Sequence, residues 1–379
     1  MKNIVIWGTG VIGRSLYYNL CGGGGYNVKY FVDNAQRDVF YNCKVLRPTK
    51  ENCSKYLVVV ASNLYYEDIA IQLMEYGLEE LKDYIPYQAL GKKIVILHGN
   101  CHIGIIKSYL NTSKSFKDKY YIYSIPMIQH NKKGYIKEHL LSNCDVFIYQ
   151  DIQADNQYDI RLSEEYLLPK VRNMKICIPN IYGMGKIFYP QAKKGKEDCL
   201  WSNPSGREIP GGLFNFRDEN IDSLWRKGER KIEKIVEYLR GPIYDKENVK
   251  NEFEHMFSKM EEREKHWDVK ILEYIKQNYK KQQMFYEPAH PCNNILRKIS
   301  EEILVMLDID INELQEIEES FGVSEMPIYK CVKEALELKF ERKYIRNVPP
   351  IEESKLTEKD MDLKEYCREY CYWCFEWLD

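Results

Sequence analysis

The segment from residue 93 to residue 110, KIVILHGNCHIGIIKSYL, constrains the fold more than any other stretch of this sequence. Its aliphatic run over residues 94–97 predicts a strand that is buried on both faces. The run breaks at residues 98–102, and apolar residues at helical spacing then continue to Leu110. Cys101 is therefore predicted to lie at a helix N-terminus, where unpaired N–H groups and the helix dipole favour a thiolate or an oxyanion. Such positions also bind phosphate or form plain turns, so this pattern alone leaves the role of Cys101 open.

A second strand–glycine–helix pattern begins the chain. Residues 2–7 predict an apolar strand, and Gly8, Gly10 and Gly13 lead from it into a helix. The next predicted strand, VKYFVD, ends at Asp33, at about the 20-residue spacing of a dinucleotide-binding fingerprint. The glycines permit a tight turn and the close approach of a pyrophosphate, and Asp33 can accept hydrogen bonds from a ribose. The pattern predicts a Rossmann-like fold.

This N-terminal part is short. A strand over residues 56–61 and a helix over residues 66–76 complete it, and no second mononucleotide-binding half follows. The segments IWGTGVIGRSL, YFVDN and VVVAS resemble the small N-terminal nucleotide-binding-like domains of bacterial sugar acyltransferases and other glycan-modifying enzymes. The resemblance covers residues 1–90 and implies either a site for a nucleotide or nucleotide sugar, or a scaffold without a ligand.

Composition excludes several classes of function. A net charge of −2 gives no electrostatic support for nucleic-acid binding. No apolar run is long enough for a membrane span, and the N-terminus begins a strand rather than a signal peptide, so we expect a cytoplasmic protein. With 379 residues the chain is too long for one typical core, which predicts at least two domains.

From residue 93 the sequence predicts a second α/β unit. Further apolar strands are expected over residues 120–128, 144–152 and 175–182. Polar side chains stand at three predicted strand ends, and these are Asn100, Gln150 and Asn180. Open α/β sheets place their ligand crevice at such ends, so we expect one cleft there.

The remaining segments are predicted to be mainly helical. Residues 193–216 are turn-rich and predict a covering loop, and residues 217–283 predict an insertion of charged amphipathic helices. Residues 307–379 predict a helical extension, with helices over residues 312–322 and 329–344, that packs on the core or forms a homo-oligomer contact. Its cysteines 367, 371 and 374 have a spacing that some iron–sulfur enzymes use, but they share one face of an aromatic-rich helix and are expected to be core.

A candidate base precedes the predicted helix that begins near Asn293. Glu287 stands three residues before His290, on a turn, where its carboxylate can bind the imidazole and fix its tautomer. A histidine oriented in this way can activate a nucleophile. The alternative for His290 is an ordinary capping or loop residue.

Several short motifs in order resemble a known family. They are G-N-C after a strand, D-V-x-I-Y-Q at a strand end, P-N-I-Y, Y-P-Q, and a late H-P-x-N at a helix start. Together they are similar to the WcbI-like polysaccharide-biosynthesis acetyltransferases, over residues 93–306. They also resemble a distant form of the SGNH esterase and acyltransferase plan, with Cys101 in place of serine, Asn100 and Glu287 in place of aspartates, and His102 in place of the WcbI-like family's usual glutamine.

The resemblance implies a fold, a reaction and residue roles. The implied fold class is α/β, with a Rossmann-like domain over residues 1–90 and an SGNH-like domain over residues 93–306. The implied reaction is acyl transfer, with acetyl-coenzyme A as donor, to a hydroxyl of a sugar or polysaccharide. His290 is the implied base, Glu287 orients it, and Cys101 is either the acyl carrier or part of the coenzyme A site. The residues implied to contact substrate or oxyanion are Asn100, His102, Gln150 and Asn180.

Three other readings stay open. A hydrolase that removes acyl groups from sugars would use the same residues. In a non-catalytic protein, both α/β units would act as sensors of sugar nucleotides. Metal-dependent hydrolysis would need His98 and His102 as ligands, but they straddle the predicted turn and lack the glutamate of a zincin motif, so no metal is expected.

Overall fold

The computed structural model describes residues 1–21, 25–35, 39–131, 134–152, 158–194, 216–319, 321, 325–341, 345–347 and 359–376. The protein is a mixed α/β structure with parallel sheets and helices, which confirms the predicted fold class. It divides into two compact units, Met1–Ile103 with Asn111–Ile176, and Gly104–Leu110 with Cys177–Asp379. The domain boundaries predicted from the sequence, and the Rossmann-like and SGNH-like assignments, stay predictions.

The first sheet is built from the N-terminal segment. Its elements in chain order are β1 (Lys2–Trp7), α1 (Val11–Cys21), β2 (Tyr26–Val32), β3 (Val39–Phe40), β4 (Cys43–Leu46), α2 (Lys50–Cys53), β5 (Leu57–Val60), α3 (Tyr66–Glu75) and β6 (Tyr84–Pro86). The strand order is β3-β4-β2-β1-β5-β6, and each pair is parallel except β3 with β4. Valine and isoleucine side chains of β1 and β5 are fully buried, as continuous aliphatic runs predict. Strands β3, β4 and β6 were not predicted because each is too short to show a periodic pattern.

The second sheet begins at the central segment. Its elements are β7 (Lys93–His98), α4 (His102–Leu110), α5 (Lys114–Lys119), β8 (Tyr120–Tyr123), α6 (Glu138–Asn143), β9 (Val146–Gln150), α7 (Glu164–Leu167) and β10 (Met174–Ile178). The order is β10-β9-β7-β8, and β7 is parallel to β8 and to β9. The predicted strand, turn and helix of residues 93–110 are confirmed.

The strand predicted over residues 120–128 is too long. It ends at Tyr123, and a short 3₁₀ helix occupies Ile128–His130. Pro126 lies between them, and a proline cannot donate a hydrogen bond to a neighbouring strand. Hydrophobicity alone continued the pattern past this break.

The second unit is rich in helices. Its elements are β11 (Ala192–Lys194), β12 (Phe216–Asp218), α8 (Glu219–Arg226), α9 (Ile232–Arg240), α10 (Lys246–Glu264), α11 (Leu272–Asn278), α12 (Asn293–Met306), α13 (Lys330–Ala335), β13 (Ile345–Asn347), β14 (Lys359–Met361) and α14 (Leu363–Phe375). β11 pairs with β12, and β13 pairs with β14, both antiparallel. The apolar residues of α9 are buried, which confirms the amphipathic pattern there. Most of the predicted covering loop, residues 195–215, lies outside the described residues.

The predicted helix over residues 312–322 is wrong for its described part. A 3₁₀ turn ends at Glu313, and residues 314–319 have no regular structure. The carbonyl groups of Ile317 and Glu318 instead accept hydrogen bonds from Asn293 Nδ2, at the start of α12. Because this segment serves the end of another helix, its polar backbone groups are satisfied without a helix of its own.

The C-terminal cysteines lie in the core. Cys367, Cys371 and Cys374 are all buried on α14, which begins with a capping box between Asp362 and Glu365. This confirms that they pack a terminal helix. Among the described residues, no group of three or more His, Cys, Asp or Glu side chains is arranged to hold a metal ion.

None of the helices in the described ranges combines the length and apolarity that a membrane crossing needs. The cytoplasmic location, the absence of nucleic-acid partners and the homo-oligomer stay predictions.

Candidate active site

The turn between β7 and α4 is shaped by a side chain from the neighbouring strand β9. A Cβ atom at Gly99 would lie 2.3 Å from Gln150 Oε1, so only glycine lets the amide approach the backbone here. The same Oε1 accepts a hydrogen bond of 2.7 Å from the backbone N–H of Asn100. Gln150 is buried, so this contact is shielded from water. The turn is held by a specific amide rather than by its own sequence.

Cys101 stands at the start of α4 between two polar residues. Asn100 Oδ1 accepts a hydrogen bond of 3.0 Å from the backbone N–H of His102 and so caps the helix. The imidazole of His102 is buried, and its Nδ1 lies 3.4 Å from Gln150 Nε2. Cys101 itself is half-buried. The turn therefore offers a partly accessible thiol at a helix N-terminus.

His98, the last residue of β7, is tied to the backbone. Its Nε2 donates to the carbonyl of Leu162 over 2.9 Å, and its buried Nδ1 has no hydrogen-bond partner in the part of the chain that the structure describes. Burial lowers the pKa of His98, because a proton on Nδ1 would place an uncompensated charge in the interior. His98 is thus a neutral structural residue, and this geometry gives no support to a metal site with His102.

The loop from Met284 to Cys292 presents the second group. Phe285 and Pro291 form an antiparallel bridge, and the N–H of Cys292 donates to the carbonyl of Met284 over 2.8 Å. Gly185 allows the loop backbone to approach closely, since a Cβ atom there would lie 2.6 Å from the carbonyl oxygen of Glu287. The closed loop fixes the backbone on both sides of its catalytic candidates.

Glu287 and His290 form a close pair. His290 Nδ1 lies 2.8 Å from Glu287 Oε1, which also accepts the N–H of Ala289 over 3.1 Å. The carboxylate is buried, and its second oxygen has no hydrogen-bond partner among the described residues. A proton held on Nδ1 leaves the basic lone pair on Nε2. The ring of Phe321 stacks on the imidazole, with centroids 4.6 Å apart and planes 12° apart. The imidazole is therefore oriented by its hydrogen bond to Glu287 and by stacking on Phe321.

The N-terminal glycines have different structural roles. A Cβ atom at Gly13 would lie 2.0 Å from the carbonyl oxygen of Gly8, and Gly8 itself has a φ of +117°. Both positions therefore require glycine for the fold. Apart from its chain neighbours, no described residue has an atom within 4 Å of a Cβ atom at Gly10. Asp33 Oδ2 accepts hydrogen bonds from the N–H and the hydroxyl of Thr9, at 2.7 and 2.6 Å.

A cavity of about 720 Å³ opens at this glycine turn. Gly8, Gly10 and Asp33 line its polar part, and Leu64 and Tyr65 are largely exposed apolar residues on its lining. The cavity is large enough for a nucleotide-sized molecule.

A family model described as polysaccharide biosynthesis enzyme WcbI matches residues 94–312, more than half of the chain. The chain belongs to the WcbI family. The matched range contains both the Cys101 turn and the Glu287–His290 pair, and it leaves out the N-terminal sheet. This confirms the WcbI family, while acetyl transfer stays a prediction.

One solved structure of WcbI itself has a similar fold. It is described as a novel polysaccharide biosynthesis enzyme, in its native form without a disulfide bond between coenzyme A and one of its cysteines. It is 15% identical to this chain and has a TM-score of 0.57, with 74% of this chain and 89% of that chain covered. At this identity the likeness concerns the fold. No curated protein matches the sequence.

The predicted WcbI-type site residues fall into two groups. Asn100, Cys101, His102 and Gln150 lie together in the first unit, whereas Glu287 and His290 are paired in the second. Asn180 also lies in the second unit, where its Oδ1 accepts the N–H of Tyr182 over 3.3 Å in a turn after β10. The convergence of all three strand ends on one cleft stays a prediction, and so do the catalytic roles.

Two contacts in the WcbI-family region could not be predicted from the sequence. The stacking of Phe321 on His290 has no local signal, because 31 positions separate them and no periodic pattern connects them. The sequence predicts Gln150 at a polar strand end, but its contact with Gly99 depends on the pairing of β7 with β9. Neither contact can be inferred without the fold.

Proposed function

We propose that this protein transfers an acyl group, most simply acetyl, from coenzyme A to a hydroxyl of a sugar during polysaccharide biosynthesis. The observation that carries the proposal is the Glu287–His290 pair, a buried carboxylate 2.8 Å from an imidazole nitrogen. Such a pair supplies a base of fixed tautomer, which alcohol acylation requires. The family description names polysaccharide biosynthesis, and the description of the WcbI structure links coenzyme A with a cysteine.

Each residue has a defined role in this proposal. His290 Nε2 removes the proton from the sugar hydroxyl, whose oxygen then attacks the acyl carbonyl carbon. Glu287 holds the proton on Nδ1 and stabilises the imidazolium that forms. Asn100 and the N–H groups at the start of α4 stabilise the oxyanion. A thioester donor supplies an activated acyl group, and the proton on His290 returns to the leaving sulfur.

Cys101 has two possible parts in the same reaction. As a nucleophile it would carry the acyl group between donor and sugar, and as a contact residue it would only line the donor site. Its half-buried thiol and helix-start position suit either part. Intact mass spectrometry after exposure to acetyl-coenzyme A distinguishes them, since only the first leaves an acetyl group on the wild-type protein that Cys101→Ala lacks.

The test is turnover of acetyl-coenzyme A with a panel of sugars and nucleotide sugars, measured by chromatography of released coenzyme A. His290→Ala should lose about 10²- to 10⁴-fold in kcat/KM, and Glu287→Gln should lose less. His255→Ala, which changes an exposed histidine of α10, is the matched control and should leave the rate unchanged. Wild-type turnover by His290→Ala would contradict the proposal. Acyl release to water with every sugar would identify a hydrolase instead.

We further infer that the cavity at the N-terminal glycines binds a nucleotide or nucleotide sugar. The fold explains Gly8 and Gly13, but no packing contact explains Gly10, which lines the cavity. A ligand phosphate that approaches the backbone of the first turn of α1 would explain it. Asp33 already accepts hydrogen bonds from Thr9 and Ala35, so its primary role is to hold the turn.

Titration with UDP-sugars and NAD tests this inference. Gly10→Ala should weaken binding at least about tenfold, because the added methyl group occupies the space of the phosphate. Gly104→Ala is the matched control, since it also has no atom within 4 Å of its Cβ but lies away from the cavity lining. Equal affinity of wild type and Gly10→Ala would place the nucleotide away from Gly10, and no binding of any nucleotide would indicate that residues 1–90 are a scaffold.

A further inference from the structure

A second cavity, of about 270 Å³, lies in the C-terminal unit. Most of its lining comes from residues 325–363, which follow the range matched by the family model. Only the end of α9 and Gln283 contribute from within that range. Most of the cavity wall therefore lies outside the range that the family model matches.

The lining carries an excess of positive charge. The lining residues include three basic side chains, Arg240, Lys330 and Lys333, and one acidic side chain, Glu325. Lys330 lies 3.7 Å from the exposed Glu334, whereas the described residues provide no ion-pair or hydrogen-bond partner for the side chains of Arg240 and Lys333. Burial lowers the pKa of Lys333 even though Glu325 and Glu341 attract its proton. The two carboxylates thus do not offset the cost of burying the charged ammonium group, and an anion in the cavity would stabilise that charge.

The carboxyl group of Glu325 is fixed by a hydrogen bond. Glu325 is buried, and one of its carboxylate oxygens accepts a hydrogen bond of 2.6 Å from Gln283 Nε2. Gln283 Nε2 also donates to the carbonyl of Phe285 over 2.9 Å. A fixed carboxylate is suited to accept hydrogen bonds from ligand hydroxyls, whereas both N–H groups of the Gln283 amide are already used in holding it.

The rest of the lining is apolar. Met326, Ile328, Phe340 and Leu363 supply aliphatic and aromatic surface. A sugar ring combines hydroxyl groups at its rim with C–H groups on its faces, and it can pack such a face on an aromatic side chain. A volume of about 270 Å³ is at the lower end of small-molecule sites, which favours one ring over a chain of them.

We propose that this cavity binds a monosaccharide that carries an oxyanion, either a phosphate or a carboxylate. The anion lies against Lys333 and Arg240, the hydroxyl groups donate hydrogen bonds to Glu325, and the ring packs on the apolar wall. Sugar phosphates and sugar acids share this chemistry. The site is independent of the proposed acyl transfer, because it uses none of its residues.

Isothermal titration of the full chain at low salt tests the proposal with four probes. They are glucose 6-phosphate, glucuronate, uncharged glucose and inorganic phosphate. We expect one of the two anionic sugars to bind more tightly than both glucose and phosphate, and which one binds identifies the source of the anion. Failure of both anionic sugars to bind at millimolar concentration, or binding of inorganic phosphate with equal affinity, would overturn the proposal.

Charge-neutral variants locate the bound ligand. Lys333→Gln and Arg240→Gln should each weaken the anionic sugar at least about tenfold, the loss expected for one charged hydrogen bond. Lys234→Gln is the matched control, since Lys234, like Arg240, is an exposed basic residue of α9 but lies outside the lining. Unchanged affinity in Lys333→Gln and Arg240→Gln would place the ligand elsewhere and refute the site.

Thermal unfolding separates lost binding from lost folding. Because burial disfavours the charged form of Lys333, its replacement by glutamine should leave Tm unchanged or raise it. The anionic sugar should raise the Tm of the wild type and not that of Lys333→Gln. An equal increase in Tm for both proteins would contradict the proposed contact.

Discussion

The chain contains two strand–glycine–helix turns that look alike in sequence but are held by different interactions. In the turn between β1 and α1, backbone meets backbone, because the space for a Cβ of Gly13 is filled by the carbonyl of Gly8. In the turn between β7 and α4, backbone meets a side chain, because Gly99 makes room for the amide of Gln150. A contact between backbone atoms can be relieved only if the backbone moves, whereas a contact with a side chain can be removed by substituting that residue.

The difference changes what each turn presents to a ligand. The first turn leaves its helix start open to a cavity, and its polar side chains, Thr9 and Asp33, bind each other. The second turn uses Gln150 to place Asn100 and His102 on either side of a thiol. One turn offers backbone to a ligand, and the other offers side chains for chemistry.

The largest expected effect is at Gly13. Gly13→Ala should destabilise the protein by about 3 kcal/mol or more, since its methyl group collides with a carbonyl at 2.0 Å and no rotamer relieves the contact. Gly10→Ala, the control, should cost no more than about 1 kcal/mol, the difference between glycine and alanine at a helix N-cap. Urea unfolding measures both. Equal costs would show that the first turn is not held by backbone packing.

The second turn should show a rescue that the first cannot. Gly99→Ala and Gln150→Ala should each cost about 1–3 kcal/mol, the former by overpacking and the latter by leaving the N–H of Asn100 without its partner. In the double variant the added methyl group has space, so its cost should be smaller than the sum by at least about 0.5 kcal/mol. A double-mutant cycle in urea measures this coupling. Strict additivity would mean that Gln150 does not explain Gly99.

The smallest effect concerns the residue before each first glycine, Trp7 in one turn and His98 in the other. His98 has its pKa lowered by burial, so the unfolded chain binds its proton first as the pH falls. Stability from this group is complete above the ordinary value of 6.5 and declines below it. His98→Gln keeps a donor for Leu162 and should reduce the loss of stability between about pH 7.5 and pH 5.5 by about 1 kcal/mol.

The control for this pH effect is His255→Gln, at an exposed position on α10. Its pH dependence of unfolding should match that of the wild type. If His98→Gln also matches the wild type, His98 does not stay neutral in the folded state.

The two turns also show how far the sequence leads. The glycine spacing of the first turn and the strand–helix break of the second are local patterns, so both turns and their helices could be predicted. The Glu287–His290 pair could be predicted for the same reason, as the two residues are three positions apart on one loop. Contacts made across strands or between distant segments, such as Gln150 with Gly99, carry no local pattern.

The errors have the same origin. The segment at residues 314–319 has helix-forming residues, but its carbonyl groups serve the start of α12. Helix α13 was predicted to continue, but Glu337 has a φ of 53°, in the left-handed region that ends helices. In each case a contact or backbone angle set by the tertiary structure overrode local propensity.

The buried thiols of α14 allow the local unfolding of this helix to be measured by cysteine alkylation. Cys367, Cys371 and Cys374 are buried, and burial raises the pKa of Cys374 to about 12, so none can be alkylated while the helix stays in place. Alkylation in native buffer must therefore wait for an opening event. The rate at which the three sites gain label together, resolved by peptide mass, gives the frequency of that opening without denaturant or an introduced probe.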